Sequence, residues 1–171
     1  LIEIIDRYEY KYYINLQGDE PFINPKDIDK IILSLKNNNT DITSICSEKK
    51  EQIKNDPNQV KVVFDINNYA LYFSRSNIPY RSKKIYKHKG IYGYTYDALQ
   101  KIKNMKESKI EKCESLEQLR WLVNGLKIKM ELSNYETISI DTKNDLELAE
   151  EFLFNKNIDG IITDIDGVLT D

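Results

Sequence analysis

The sequence has 171 residues, enough for one domain whose core needs neither disulfides nor a structural metal. Its formal net charge of −3 argues against general electrostatic binding to nucleic acid, and no apolar run is long enough to cross a membrane. The two cysteines, Cys46 and Cys113, match no metal-binding spacing and indicate a reduced, cytoplasmic protein.

The first half of the chain predicts alternating helices and strands. Residues 1–7 have the pattern of an amphipathic helix that is already under way, so we expect the sequence to be a fragment. A strand over residues 12–16 precedes a helix that begins at Pro25 and ends at the asparagines 37–39. A second strand is predicted over residues 42–46.

The middle of the chain predicts a β-hairpin over residues 60–73. Asn67 and Asn68 tolerate the positive φ that a tight primed turn requires. The hairpin delivers Arg75 to a strand end, and a further strand covers residues 88–94. Between them lies a basic run that suits a small anionic ligand, made of Arg81, Lys83, Lys84, Lys87 and Lys89.

A helix over residues 114–124, with Gly125 as its stop, completes the alternation. We therefore expect a layered α/β domain with a mixed sheet.

Two acids follow strand-like runs and are expected at one edge of the sheet. Asp19 follows the first strand, and Asp141 stands between residues 137–140 and the helix-like residues 145–150. Two carboxylates at one rim can hold a divalent cation. Taken alone, Asp19 is equally well a turn acid and Asp141 a helix N-cap.

Six segments, in this order, resemble the 3-deoxy-manno-octulosonate (Kdo) cytidylyltransferases, also called CMP-Kdo synthetases. They are Gln17-Gly18-Asp19-Glu20-Pro21, residues 56–63, residues 70–80, residues 88–94, residues 114–120 and residues 141–147. The resemblance implies a Rossmann-like nucleotidyltransferase (GT-A-like) three-layer domain with a mixed sheet over residues 1–157. It also implies transfer of CMP from CTP to Kdo with Mg²⁺, in lipopolysaccharide biosynthesis, by a homodimer.

The same resemblance implies roles for particular residues. Asp19 and Asp141 become Mg²⁺ ligands and the catalytic acids, with Glu20 outside the metal shell. Arg75 would pair with the sugar carboxylate, and His88 would bind hydroxyls or the carboxylate. The remaining sugar contacts are Gln17, Tyr92, Glu117 and Gln118.

Without the resemblance, the same side chains are compatible with purely structural roles. Arg75 could be a solvated surface arginine, and the single histidine could be structural. Glu117 has the spacing of a helical ion pair with Arg120. The chain also departs from the family pattern at Lys89, where an apolar residue is usual, and at Gly93, where alanine is usual.

The ends of the chain carry two further expectations. No residue before the first strand can form the basic, glycine-containing loop that binds the CTP phosphates in this family, so we expect the fragment alone to be inactive or very weak. Residues 158–171 resemble the opening motif of haloacid-dehalogenase-type phosphatases related to Kdo 8-phosphate phosphatase. That family uses the position of Asp164 as nucleophile and that of Asp166 as acid/base. The alternative is an Asp-Gly turn.

Two other functions compete with this interpretation. A cytidylyltransferase for a nine-carbon sugar such as neuraminate is disfavoured by the segment from Gln17 to Pro21, where those relatives carry a different sequence. A non-catalytic dimerisation or scaffold module is disfavoured by the presence of both Asp19 and Asp141.

Overall fold

The computed structural model describes residues 5–8, 10–18, 20–37, 40–49, 56–135, 140 and 143–154. The acids Asp19, Asp141, Asp164 and Asp166 lie outside these residues. So do residues 1–4 of the predicted N-terminal helix and residues 137–139 of the strand predicted over 137–140. Within the described ranges, no helix has the length and apolar character needed to span a membrane.

The described residues alternate between strands and helices along the chain. The strands are β1 (Tyr12–Asn15), β2 (Ile42–Lys49), β3 (Lys61–Phe64), β4 (Ala70–Ser74), β5 (Ile85–Thr95) and β6 (Ile128–Leu132). The helices are α1 (Pro25–Asn37), α2 (Tyr96–Lys103), α3 (Lys109–Glu114), α4 (Gln118–Val123) and α5 (Lys143–Phe154).

These strands form one mixed sheet, as the alternation predicted. Its order is β4-β3-β5-β2-β6, and β1 pairs with the end of β5. Strands β1 and β2 are antiparallel to β5, whereas β6 is parallel to β2. Consequently β1, β2 and β6 all run in the same direction, and their carboxyl ends lie at the same edge.

Strand β5 contains a bulge at its centre. Ser44 of β2 opposes Tyr92, but the next residue, Ile45, opposes Lys89. Gly90 and Ile91 therefore have no partner on β2. A bulge of this kind bends the strand and redirects its side chains.

Helix α1 covers one face of the sheet and approaches β5 closely. Ile31 and Leu35 pack there against Ile45 and Ile91 in one apolar cluster. A Cβ atom at Gly93 would lie 2.2 Å from Cγ2 of Ile31, so the absence of a side chain at this position permits the close packing.

Helix α4 and the larger core cluster cover the opposite face. This cluster includes Tyr92, Tyr94, Leu119, Trp121 and Ile128, all buried. The domain thus has three layers, with the sheet between α1 and α4, and the predicted fold class is confirmed.

The single helix predicted over residues 114–124 is wrong. Ser108 caps α3 in a capping box with Glu111, so this helix begins earlier than the apolar pattern indicated. Ser115 then adopts a left-handed conformation with φ of 52° and ends α3. Helix α4 restarts at Gln118, and Gly125 follows it with φ of 82°, as predicted.

The hairpin of β3 and β4 is confirmed, but its turn differs from the predicted one. Only Asn68 has a positive φ, 60°, whereas a type I′ turn requires two consecutive residues with positive φ. The Asp65 carboxylate accepts hydrogen bonds from the backbone N–H groups of Asn67 and Tyr69. This local bonding stabilises a wider loop.

Candidate active site

The loop after β1 is anchored to the bulge of β5. One carboxylate oxygen of Glu20 accepts a hydrogen bond from the Gly90 N–H at 3.2 Å. A Cβ atom at Gly90 would lie 3.1 Å from Cγ of Gln17, so Gln17 lies directly over this glycine. Gln17 and Glu20 are therefore held at the edge where α/β sheets bind ligands.

Asp19 stands between these two anchored residues in the sequence, but it is not among the described residues, and neither is Asp141. Helix α5 begins two residues after Asp141, and its Phe152 contacts Phe22 of the loop after β1, with ring centroids 5.0 Å apart. Among the described side chains, no group of three or more metal-ligating residues is present.

His88, Tyr92 and Gln118 lie on the α4 face of the sheet. The rings of His88 and Tyr92 are in contact, with centroids 5.2 Å apart, and the Trp121 ring lies edge-on to Tyr92 at 5.2 Å. Gln118 is buried on the same helix as Trp121, three residues earlier. The Tyr92 hydroxyl and the Trp121 indole N–H have no hydrogen-bond partner within the described part of the chain.

The His88 imidazole is buried and neutral. Burial lowers its pKa from 6.5 to about 3. Its Nε2 atom lies 2.9 Å from Oγ of Ser44, and the same Oγ lies 2.8 Å from the carbonyl oxygen of Ile91 in the bulge. Ser44 is a site residue that the sequence did not reveal, because nothing in a strand pattern distinguishes it from other buried serines.

Arg75 is held by backbone carbonyl groups. Its guanidinium donates hydrogen bonds to the carbonyl oxygens of Glu114 and Pro57, both at 2.9 Å, and of Ser115 at 3.3 Å. Three of its five N–H groups are used in this way. Arg75 is thus not a freely solvated arginine, and its other two N–H groups have no hydrogen-bond partner among the described residues.

The carboxylate of Glu114 fixes the backbone around Arg75. It accepts hydrogen bonds from the Arg75 N–H at 2.9 Å, the Ser74 hydroxyl at 2.8 Å and the Tyr72 hydroxyl at 3.3 Å. Burial alone would raise the pKa of this carboxyl group, but the three hydrogen bonds outweigh it and lower the pKa.

Lys61, a second residue that the sequence did not reveal, holds the same region from β3. Its side chain is buried, and its ammonium donates hydrogen bonds to the carbonyl oxygens of Asp56, Gln59 and Arg75. Burial lowers the pKa of this lysine. The three carbonyl groups fix the loop before β3 beside the end of β4.

Lys89 does not belong to an exposed basic surface, which corrects the predicted basic run. Its ammonium is buried on the α1 face and lies 3.2 Å from a carboxylate oxygen of Asp27 in α1. It also donates hydrogen bonds to the hydroxyl of Ser133 and the carbonyl oxygen of Tyr135. Another member of the run, Lys84, pairs with Glu48.

Glu117 and Gln118, the two predicted sugar contacts near the start of α4, differ in exposure. Glu117 is exposed and precedes the helix, whereas Gln118 is buried. The guanidinium of Arg120 forms its ion pair with Glu111 of α3, with the closest atoms 2.5 Å apart. The alternative pairing of Glu117 with Arg120 is therefore wrong, because α3 and α4 pack together.

A cleft of about 730 Å³ lies at the other end of the sheet, where β1, β2 and β6 begin. It is lined by Lys11, Lys36, Lys127 and other residues, none of which is a predicted site residue. Lys101 in this lining pairs with Asp41 at 3.2 Å. The cleft is therefore separate from the candidate site.

Comparison with known proteins finds relatives that are named as cytidylyltransferases. The chain is 48% identical over 157 residues to the 3-deoxy-manno-octulosonate cytidylyltransferase of Thermodesulfovibrio yellowstonii, covering 85% of this chain and 61% of that protein. It is 44% identical to the enzyme of the same name from Fusobacterium nucleatum, covering 88% of this chain and 64% of that protein. The chain thus spans somewhat less than two thirds of these relatives.

A solved structure of CMP:2-keto-3-deoxy-manno-octonic acid synthetase complexed with CTP is similar throughout the fold. It has a TM-score of 0.82 and 34% identity, covering 91% of this chain and 66% of that one. An inositol-1-phosphate CTP transferase from T. maritima shares the fold, with a TM-score of 0.62 and 20% identity. A family model described as cytidylyltransferase matches residues 1–128, well over half of the sequence. The chain therefore belongs to the cytidylyltransferase family.

Proposed function

We propose that a protein carrying this chain transfers CMP from CTP to Kdo, giving CMP-Kdo and pyrophosphate. The observation that carries the proposal is the arrangement of Gln17, His88, Tyr92 and Gln118 around the bulge of β5, in a chain whose relatives are named for this reaction. Their polar groups come from the loop after β1, from β5 and from α4, and the carboxyl ends of parallel strands are where α/β sheets usually bind a substrate.

In this proposal the chain itself recognises the sugar. The buried Tyr92 hydroxyl and Trp121 indole N–H are donors without partners in the described part of the chain, which is costly unless a ligand or water satisfies them. The two remaining N–H groups of Arg75 could bind the sugar carboxylate, and Gln118 and Glu117 could bind hydroxyl groups.

We also propose that Asp19 and Asp141 hold Mg²⁺. Two carboxylates supply the hard oxygen ligands that this ion prefers. The contact of Phe22 with Phe152 supports the idea, because it joins the segments that follow each acid. When bound, Mg²⁺ would lower the pKa of the sugar hydroxyl and neutralise charge on the α-phosphate.

The remaining proposals concern the whole protein. We propose a cytoplasmic homodimer in which residues 158–171 begin a phosphatase-like domain, with Asp164 as nucleophile and Asp166 as acid/base. Because the chain spans less than two thirds of its relatives, we further propose that turnover requires the remaining family sequence, including a CTP-binding loop. Light scattering would measure the oligomeric state of the longer protein.

Pyrophosphate release from CTP and Mg²⁺ tests the proposed reaction. We expect release when Kdo is the acceptor and none when N-acetylneuraminate replaces it. Asp19→Asn and Asp141→Asn should each abolish release while leaving the thermal unfolding transition in place. Pyrophosphate release with neuraminate alone would assign the protein to the cytidylyltransferases for nine-carbon sugars. A folded protein that releases no pyrophosphate with either sugar would favour a scaffold module.

A further inference from the structure

The hydroxyl of Ser44 has three neighbours that constrain where its single proton lies. Its Oγ is 2.8 Å from the carbonyl oxygen of Ile91, 3.4 Å from the carbonyl oxygen of Lys89 and 2.9 Å from Nε2 of His88. A carbonyl oxygen can only accept, so the Ser44 proton must point to Ile91; otherwise two oxygens would face each other at 2.8 Å without a proton between them.

This orientation determines the histidine tautomer. With its proton donated to Ile91, the Ser44 oxygen has only lone pairs left for the imidazole, and Nε2 must carry the hydrogen that it accepts. Burial keeps the ring neutral, so Nδ1 carries a lone pair. Among the described residues, Ser44 is the hydrogen-bond partner of this ring, which leaves Nδ1 for a ligand.

We propose that Ser44 is a positioning residue that holds His88 as the neutral Nε2–H tautomer, so that Nδ1 accepts a hydrogen bond from a hydroxyl of the sugar and His88 does not bind the sugar carboxylate. A neutral nitrogen lone pair attracts a hydroxyl donor and repels a carboxylate oxygen, which only accepts. The ligand part rests on the proposed function, whereas the tautomer does not.

The surroundings of His88 favour this role. The Phe73 ring lies edge-on to the imidazole at 5.1 Å and the Tyr92 ring is tilted relative to it at 5.2 Å, so two aromatic side chains pack against the imidazole. The residue as a whole is 8% exposed. The carboxylate must then be bound by a cation elsewhere, and Arg75 has two N–H groups without a partner in the described part of the chain.

Nitrogen-15 NMR of the histidine ring tests the tautomer directly, because this sequence contains a single histidine. The signals can be assigned by their loss in His88→Gln. At pH 7 we expect one protonated Nε2 and one unprotonated Nδ1 in the wild type and in Ser47→Ala, which removes another buried hydroxyl from β2. Ser44→Ala should show an added share of the Nδ1–H form. A wild-type ring that is Nδ1–H or doubly protonated would overturn the inference, whether or not Ser44→Ala folds.

Addition of Kdo to the longer protein, in the form that turns over, tests whether Nδ1 of His88 contacts the sugar. We expect the Nδ1 signal to shift while the ring stays singly protonated, and Ser44→Ala to raise KM for Kdo roughly tenfold without changing KM for CTP. A ring that becomes doubly protonated on binding, an unchanged Nδ1 signal, or an unchanged KM for Kdo would contradict the hydroxyl contact. A wild type without turnover would instead contradict the proposed function, while the spectrum without sugar would still decide the tautomer.

Discussion

The ammonium nitrogen of Lys89 lies 3.2 Å from Oδ2 of Asp27, and the two side chains are only 3% and 0% exposed. The hydroxyl of Ser133 donates to the same carboxylate oxygen at 2.7 Å. The ion pair therefore joins β5, α1 and the loop after β6. The other carboxylate oxygen of Asp27 has no partner in the described part of the chain, so its charge depends on Lys89 and Ser133.

Removing one member of this pair should be strongly destabilising. Lys89→Met leaves the Asp27 carboxylate buried without a counter-charge, and we expect it to lower the free energy of unfolding by about 3–5 kcal/mol. Urea denaturation at pH 7 measures the loss. The double variant Asp27→Leu with Lys89→Met should recover most of it, because two apolar side chains leave no buried charge.

Lys84→Met is the matched control for Lys89→Met. Lys84 pairs with Glu48 at 3.1 Å on the surface, and its loss should leave the denaturation midpoint unchanged. Equal midpoint shifts for the two single variants, or a double variant as unstable as Lys89→Met, would contradict the role assigned to the buried pair.

Gly93→Ala should lower stability because α1 leaves no room for a methyl group. The new Cβ would lie 2.2 Å from Ile31 and 2.8 Å from Leu35, and overpacking of this kind costs about 1–3 kcal/mol. Gly90→Ala on the same strand is the control, since its Cβ would meet the flexible Gln17 side chain at 3.1 Å. Thermal unfolding should rank Gly93→Ala as clearly the less stable, and the reverse order would refute the packing argument.

The Glu114 carboxylate should contribute to acid sensitivity. The pKa of this carboxyl group in the folded protein lies below its ordinary value of 4.5. The ionised carboxylate therefore stabilises the folded protein at pH values above 4.5. This stabilisation is lost as the pH falls through the pKa of the folded state. Glu114→Gln should therefore be less stable at pH 7 and lose less stability on acidification from about pH 5 to pH 3. Urea denaturation across this range, with exposed Glu107→Gln as control, measures the slope. Parallel slopes for wild type and Glu114→Gln would be inconsistent with this mechanism.

Arg75→Lys should weaken sugar binding if the proposed function holds. A lysine ammonium cannot reproduce the planar guanidinium that contacts three carbonyl groups and keeps two N–H groups for a carboxylate. We expect KM for Kdo to rise about tenfold and KM for CTP to stay unchanged. The control is Arg81→Lys, an exposed arginine that lies over the Tyr80 ring. Equal KM values for Kdo in Arg75→Lys and Arg81→Lys would show that Arg75 does not bind the sugar.

The sequence predicted those elements whose signals are local. Pro25 and the apolar spacing located α1 correctly, from Pro25 to Asn37. Alternation around the asparagines located the hairpin of β3 and β4. In contrast, α2 and β6 were not predicted. Strand β6 is short and contains a lysine and a glutamate, so its own composition does not indicate a strand. Its pairing with β2 stabilises the extended conformation.

The environment of Lys89 could not be predicted, because it depends on contacts between distant parts of the chain. A lysine in a strand indicates an exposed face unless a buried partner is known, and Asp27 lies 62 residues away. The same holds for Ser44, which meets His88 only because β2 pairs with β5 around a bulge. The motif residues of the candidate site were recognisable from the sequence, whereas the residues that hold them were not.

Phosphorus NMR of the reaction products tests the central claim most directly. With CTP, Kdo and Mg²⁺, a protein carrying this chain should convert the triphosphate signals into one phosphodiester signal and one pyrophosphate signal. The pyrophosphate signal should be twice as intense, because each molecule of pyrophosphate contains two equivalent phosphorus atoms. Omission of Kdo should leave CTP intact. Pyrophosphate without a new phosphodiester, or a triphosphate that persists in the presence of folded protein and Kdo, would contradict CMP transfer to this sugar.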